Sequence, residues 1–419
     1  MTKVFKFGGA SVKNADGVIQ VVKILNQSQQ DNLVVVVSAM GKTTNLLEKV
    51  VQKYLHKDDQ YLENLAEVEF FHFEIINKLF SNSKKVTEIV KNIFSDCKLF
   101  LKNNPSPKKS YVYDQVVSFG ELLSTIIVSE YLTTKGINNK WLDARNFIKT
   151  NSYYRGAVLN WEITSRKIKN YFVNERLIVT QGFIGSDDNN FTTTLGREGS
   201  DYSAAIIAYC IDAHVLTIWK DVPGLMNGDP KVFGDTQLIR KISYEETIEL
   251  AFYGASVIHP KTLQPLQKKE IPLHIKSFIN PEIIGTVVEK GKKLEPKVPC
   301  FIQKNNLSLI QLSSRDFSFI VEENISYIFK LLDKYKMSVD LIQNSAISFS
   351  VCVNDKYKKM EELLKCLRNR FDVNHTSGIV LYTIRHFNKK SVNDITKKGS
   401  LIIEQRTNKT IQLVMKPYF

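Results

Sequence analysis

The segment Thr192–Asp201, TTTLGREGSD, gathers a guanidinium, two glycines, hydroxyls and two carboxylates directly behind an apolar run from Leu177 to Ile184. An apolar run followed by such residues reads as a strand-to-helix transition, where backbone amides are free and a helix N-terminus attracts anions. Arg197 suits a carboxylate ligand, because a planar guanidinium grips it through two parallel hydrogen bonds that lysine cannot reproduce. Gly199 leaves room for close backbone approach. Ser200 and Asp201 open the helix, so capping is the competing reading for both.

Three other clusters share this chemistry. Lys6 runs straight into Gly8-Gly9, and glycines at the end of a first strand let amides approach phosphate while the lysine reaches the same group. Trp219-Lys220-Asp221-Val222-Pro223-Gly224 follows an apolar strand and therefore lies at its carboxyl end, where open α/β sheets bind ligands. SFGELLST sets Glu121 on an apolar helix beside Gly120, either on a solvated face or aimed at a cleft. Gly41-Lys42-Thr43-Thr44 imitates a P-loop tail, but the required earlier glycine is Val36, which excludes that site and leaves a helix cap at Thr43 or Thr44 as the plain reading. The seven histidines lack HxxxH spacing, so no metal cluster is expected, and His259 before Pro260 reads as a turn residue.

In order and spacing, KFGGAS (Lys6–Ser11), SAMGKTTNLL (Ser38–Leu47), SFGELLST, TTTLGREGSD and WKDVPG resemble the aspartate kinases, which make β-aspartyl phosphate from ATP and L-aspartate. The resemblance spans about residues 3 to 290 and, more loosely, the C-terminal part. It implies an α/β amino acid kinase fold, with a mixed, mostly parallel sheet between helices, followed by an α+β ferredoxin-like ACT regulatory region. It further implies catalytic roles for Lys6 and Asp201, and aspartate contacts from Ser38, Thr44, Glu121, Arg197, Gly199 and Ser200, with Glu121 on the ammonium. ATP would be held by Lys6, Gly8, Gly9, Lys220, Asp221, Asp229 and Lys231. Lys261 would substitute for a phosphate-reaching lysine that many relatives carry at the place of Ser256. Mg2+ would arrive bridging ATP phosphates, with few protein ligands. The chain departs from the family at Glu198, where relatives have glycine. That adds a negative charge beside an anionic site unless the side chain turns outward.

Composition sets the frame. A chain of 419 residues, 43% hydrophobic, exceeds what one core usually organises, so two domains are expected. Five scattered cysteines without a CxxC pair fit a reducing cytoplasm, and no apolar stretch is expected to approach the roughly 18 residues of a bilayer span. The net charge of +14 is spread along the chain rather than gathered into a basic block, which favours encounter with anionic small molecules over nucleic acid.

Val4–Phe7 reads as a strand followed by a helix carrying Val18, Val21, Val22 and Leu25, and Leu33–Val37 as a buried parallel strand. Helices dominate from about Asn45 to Lys135. Strands at Leu177–Ile184, Val215–Trp219 and Pro272–Lys276 then alternate with helices. Periodicity stops at GKKLEPKVPC (Gly291–Cys300), which predicts a catalytic domain over 1–292 and a regulatory region over 300–419. In the latter, strands at 307–312, 338–342, 347–353 and 373–376 with helices at 322–336 and 357–370 give βαββαβ over 300–377, and a second, incomplete copy follows over 378–419.

By resemblance, Ser338, Val339 and Asp340 line an effector pocket, with Asp340 placed for an ammonium. Ala346 stands where lysine-responsive relatives carry glutamate, and VEENI (Val321–Ile325) lacks the usual glycine, so weak sensing and a homodimer or larger homo-oligomer through this region are expected. Competing readings are a glutamate, acetylglutamate or uridylate kinase, a catalytically dead amino-acid sensor, and a nucleic-acid-binding regulator. No GxGxxG unit follows residue 300, so a fused homoserine dehydrogenase is not expected.

Overall fold

The computed structural model describes residues 1–28, 31–172, 175–255, 258–316 and 318–418. The chain divides into two compact units, one of residues 1–225, 238–248 and 257–296, the other of 226–237, 249–256 and 297–419. A single break near residue 292 therefore misses two earlier segments. Tertiary contacts that sequence periodicity does not encode hold them in the second unit: Asn227 accepts from the Phe301 amide at 2.6 Å, and Glu249 pairs with Arg385 at 2.8 Å.

In the first unit an eight-stranded sheet runs in the order Lys140–Leu142, Leu177–Gln181, Asn32–Val37, Thr2–Phe7, Val215–Lys220, Leu273–Ser277, Thr286–Val288, Lys241–Ile242. All neighbours are parallel except Leu273–Ser277 with Thr286–Val288. The central strands alternate their side chains between two buried faces. Phe5, Phe7, Val35 and Val37 pack into the core formed with the helices between residues 15 and 134, and Phe7 stacks on Trp219 with ring centroids 6.1 Å apart. Lys6 and Lys220, one residue out of phase with Phe7 and Trp219, therefore point to the other face, where the helix Gly199–Cys210 lies.

The apolar run expected as one strand over Leu177–Ile184 is broken at Gly182. Leu177–Gln181 stays in the sheet, while Ile184–Ser186 pairs with Thr192–Thr194 in a separate antiparallel ribbon. Helix Lys109–Thr134 corrects another expectation, since by length and composition it is apolar enough to cross a bilayer. It is instead a core helix. Val116, Val117, Leu123, Ile127, Val128 and Leu132 are fully buried, and so are Asp114 and Glu121 to within 2%.

The second unit has one six-stranded antiparallel sheet, ordered Ser338–Asn344, Ser348–Asn354, Cys300–Ser314, Phe371–Arg385, Thr410–Pro417, Gly399–Arg406. The short strands expected at 307–312, 373–376 and 379–386 are parts of two 15-residue strands. These pair along their length, with register shifts between Lys304 and Leu307 and between Leu307 and Ser308. The second copy also gains its missing strand, because Cys300–Lys304 pairs with Leu381–Arg385. Its helix, Lys389–Thr396, is capped by Asn388, which accepts from the Ser391 amide at 2.8 Å.

Gly182 shows how the sheet fixes the site. Its amide donates to Val37 at 3.1 Å, and a Cβ there would lie 2.6 Å from the Ser200 Cβ. Gly182→Ala is expected to destabilise the protein by about 1–3 kcal/mol through overpacking, read as a lower denaturant midpoint at unchanged m.

Candidate active site

A cavity of 520 Å³ opens at the carboxyl ends of the central parallel strands. It brings together Lys6, Gly9, Ser38, Thr44, Glu121, Arg197, Gly199, Ser200, Asp201 and Lys220 of the residues expected from sequence.

One end is a charge cluster. Asp201, in the first turn of Gly199–Cys210, lies 2.6 Å from the Lys6 ammonium and 3.3 Å from that of Lys220. Burial opposes its charge, but the two lysines more than offset this and hold the carboxyl below its ordinary value. Asp201 therefore works as a counter-ion rather than as a helix cap, and the N-cap position belongs to Glu198, in the left-handed region at φ 53°. Glu198 does not turn outward. It lines the cavity, and its Oε2 is buried without a hydrogen-bond partner.

Gly9 brings two loops together here, since a Cβ on it would sit 2.7 Å from the Ala39 carbonyl and 2.9 Å from that of Gly41. The Gly41 amide donates to the Gly9 carbonyl at 3.0 Å. Gly8 is not among the lining residues, although its own Cβ position is 3.4 Å from the Lys6 ammonium.

Helix Lys109–Thr134 supplies the other end. Glu121 Oε1 accepts from the Ala39 amide at 3.3 Å, while its Oε2 is buried and unpartnered. Burial pushes this carboxyl up to about 8 against the opposing hydrogen bond. A carboxyl raised this far favours its neutral form at neutral pH, and a cation placed against it favours the charged form. Ser38 offers its carbonyl to Ser124 at 2.7 Å. Thr43 does not cap its helix; its hydroxyl donates to Met40 at 2.6 Å, and Thr44 faces the cavity.

Several expected nucleotide contacts are not among the lining residues. Asp221 and Lys261 are exposed elsewhere on the first unit, and Asp229 and Lys231 are exposed in the second. His259 accepts from the Lys261 amide at 3.2 Å as a helix cap. Ser256, the departure that Lys261 was to offset, lies outside the described residues.

The sequence reading missed Tyr113, Arg155, Phe183 and Thr194 in the cavity wall, and behind them Asp114. This buried carboxylate accepts from the Arg155 amide at 3.1 and 3.2 Å and from the Thr194 amide and hydroxyl at 2.8 Å. Burial raises it to about 6 despite those bonds. Its one sequence signal is an aspartate seven residues, or two helical turns, before Glu121.

Residues 1–277 match the amino acid kinase family. The lysine-sensitive aspartokinase 3 of Escherichia coli is 30% identical over 358 residues, covering 84% of this chain and 78% of the relative. The crystal structure of E. coli aspartokinase III with lysine and aspartate superposes with a TM-score of 0.83 at 26% identity, over 99% of this chain and 96% of that one. The same enzyme with aspartate and ADP gives 0.81 at 25% identity over the same shares. The chain also matches bifunctional aspartokinase/homoserine dehydrogenases, and it spans about half the length of these curated relatives. The chain belongs to the amino acid kinase family, and within it to the aspartokinases.

Because the Glu121 carboxyl is held above its ordinary 4.5, the native state keeps a proton that the unfolded chain releases. That contribution is fully present below about pH 4.5 and is lost as pH rises through about 8. Wild-type protein should therefore lose stability relative to Glu121→Gln between about pH 5 and 8. A flat difference in denaturant midpoints over that range would contradict the buried neutral carboxyl.

Proposed function

We propose that the protein transfers the γ-phosphoryl group of ATP to the β-carboxylate of L-aspartate, giving 4-phospho-L-aspartate and ADP, the first step toward lysine, threonine and methionine. The observation that carries this is the two-ended cavity: two lysines share Asp201 at one end, and a partnerless Glu121 oxygen with Arg197 lines the rest. The relatives in complex with aspartate and with ADP support the same pairing of ligands.

The attacking β-carboxylate is already ionised at neutral pH, with a reference pKa of about 3.9, so no general base is needed. The site has to bring two anions into line and neutralise the charge that develops between them. Lys6 and Lys220 do this, and Asp201 holds both ammonium groups in place through its two ion pairs. Glu121 takes the substrate ammonium and Arg197 a substrate carboxylate, with Ser38, Thr44, Gly199 and Ser200 completing the amino-acid side. Asp201 is already engaged by both lysines, so the residues fit Mg2+ held chiefly by ATP phosphates and water, where it adds charge neutralisation. Five free cysteines fit a reducing cytoplasm. ATP-dependent trapping of acyl phosphate by hydroxylamine, run across a panel of amino acids, tests the reaction and the substrate together. Folded Lys6→Ala should lose about a hundredfold or more in kcat; a loss of only a few-fold would make the lysine structural.

For the second unit, the reading is a weakly responsive regulatory region that also forms the homodimer or higher homo-oligomer interface. Ser338, Val339 and Asp340 line a small cavity of 160 Å³. The carboxylate placed for an effector ammonium is already paired with the chain's own Lys304, at 2.6 Å. Inhibition by lysine should therefore be weak or absent, and Lys304→Met should increase it by freeing Asp340. Potent lysine inhibition of the wild type, abolished by Asp340→Ala with basal activity retained, would refute this.

A further inference from the structure

Arg155 lies on the wall of the active-site cavity but has no role in the reading above. Its backbone sits in the left-handed region at φ 65°, which a long side chain adopts only when its surroundings hold it there. Here they do. The Arg155 amide is gripped by both oxygens of the buried Asp114, and the next residue, Gly156, also has a positive φ. Asp114 binds Thr194 as well, three residues before Arg197, so one buried carboxylate sets the positions of both guanidinium-bearing segments at the cavity.

Among the described residues, the Arg155 side chain meets Tyr113 and Glu48. Its guanidinium carbon lies 3.9 Å from the centre of the Tyr113 ring, and it pairs with Glu48 at 3.2 Å, the Arg155 side chain being 51% and that of Glu48 36% exposed. An exposed pair of this kind is worth little and is easily exchanged. Glu48 stands one helical turn beyond Thr44, which itself lines the cavity. Thus a cation fixed at its backbone, stacked on an aromatic pivot and loosely countered, borders the region assigned to the amino acid.

We propose that Arg155 is a specificity-determining residue that exchanges Glu48 for the α-carboxylate of the amino-acid substrate and closes on it opposite Arg197. The inference rests on the reading of the cavity as an L-aspartate site. A carboxylate has lone pairs enough for two guanidinium forks. Gripping the α-carboxylate from two sides leaves the β-carboxylate as the group directed to Lys6 and the phosphoryl donor. The ligand class is an α-amino acid with a free α-carboxylate and a second carboxylate on its side chain.

The test is calorimetric binding of L-aspartate and of its α-amide, which keeps the β-carboxylate, to wild type, Arg155→Met, Arg155→Lys and Glu48→Gln, each shown to be folded by circular dichroism. Arg155→Met keeps the stem over Tyr113 and should weaken L-aspartate about tenfold or more, shrink the preference for L-aspartate over the α-amide at least about fivefold, and leave ATP binding unchanged. Arg155→Lys should restore only part of the affinity. Glu48→Gln should tighten L-aspartate about twofold or more by removing the competing carboxylate. Unchanged discrimination in Arg155→Met overturns the assignment, and unchanged or weaker L-aspartate binding in Glu48→Gln overturns the exchange. A wild type that binds L-aspartate with these signatures yet traps no acyl phosphate overturns the proposed reaction while upholding the contact. One that binds no L-aspartate overturns both.

Discussion

The carboxylate of Asp201 between the ammonium groups of Lys6 and Lys220 is the contact around which the first unit is arranged. Three buried or half-buried charges together at the end of a sheet are costly unless each is paired. The pairing demands that two strands and a helix terminus meet at one point. The first strand brings Lys6, the neighbouring parallel strand brings Lys220, and both are turned to the helix face because their neighbours Phe7 and Trp219 stack on the opposite face. Gly9, Gly182 and Gly199 keep the converging backbone segments within the required distance.

Helix Lys109–Thr134 solves a related problem by the opposite means. It is buried nearly all round, and it carries two carboxylates into that environment. Asp114 is almost fully hydrogen-bonded and fixes the cavity wall, whereas Glu121 keeps one oxygen unpartnered. An unpartnered polar atom is destabilising in the free protein, and the same atom becomes a binding group when a cation arrives. A hydrogen-bonded carboxylate and one with an unpartnered oxygen thus share one helix and are separated by how completely their lone pairs are used.

The second unit follows a different logic. Its two 15-residue strands each serve both halves of one sheet, so neither half closes by itself. Side chains alternate between faces that pack in separate clusters: Ile310 and Leu312 lie with the helices Glu322–Lys334 and Met360–Leu367, while Leu307 and Leu309 lie with Ile379, Leu381 and Ile403. Asp340 falls at a register shift between Val339 and Leu341, where regular alternation fails and its side chain meets Lys304.

The sequence by itself determined the local features: the glycine turn after the first strand, the parallel strands written as β-branched runs and the helical stretch before residue 135; it also singled out Lys6, Glu121, Arg197 and Asp201, which the fold gathers at one cavity. These are legible because periodicity, glycine placement and residue chemistry act over a few residues. Only the tertiary structure decided that Asp201 is a counter-ion rather than a cap, that Asp221 and Lys261 lie away from the cavity lining, and that Glu198 lines it. It also returned residues 226–237 and 249–256 to the second unit and merged expected short strands into long ones. Arg155 and Asp114 escaped for the same reason. Their roles depend on contacts across 41 and 80 positions of sequence, and nothing in local spacing records which distant backbone amide a buried carboxylate will hold.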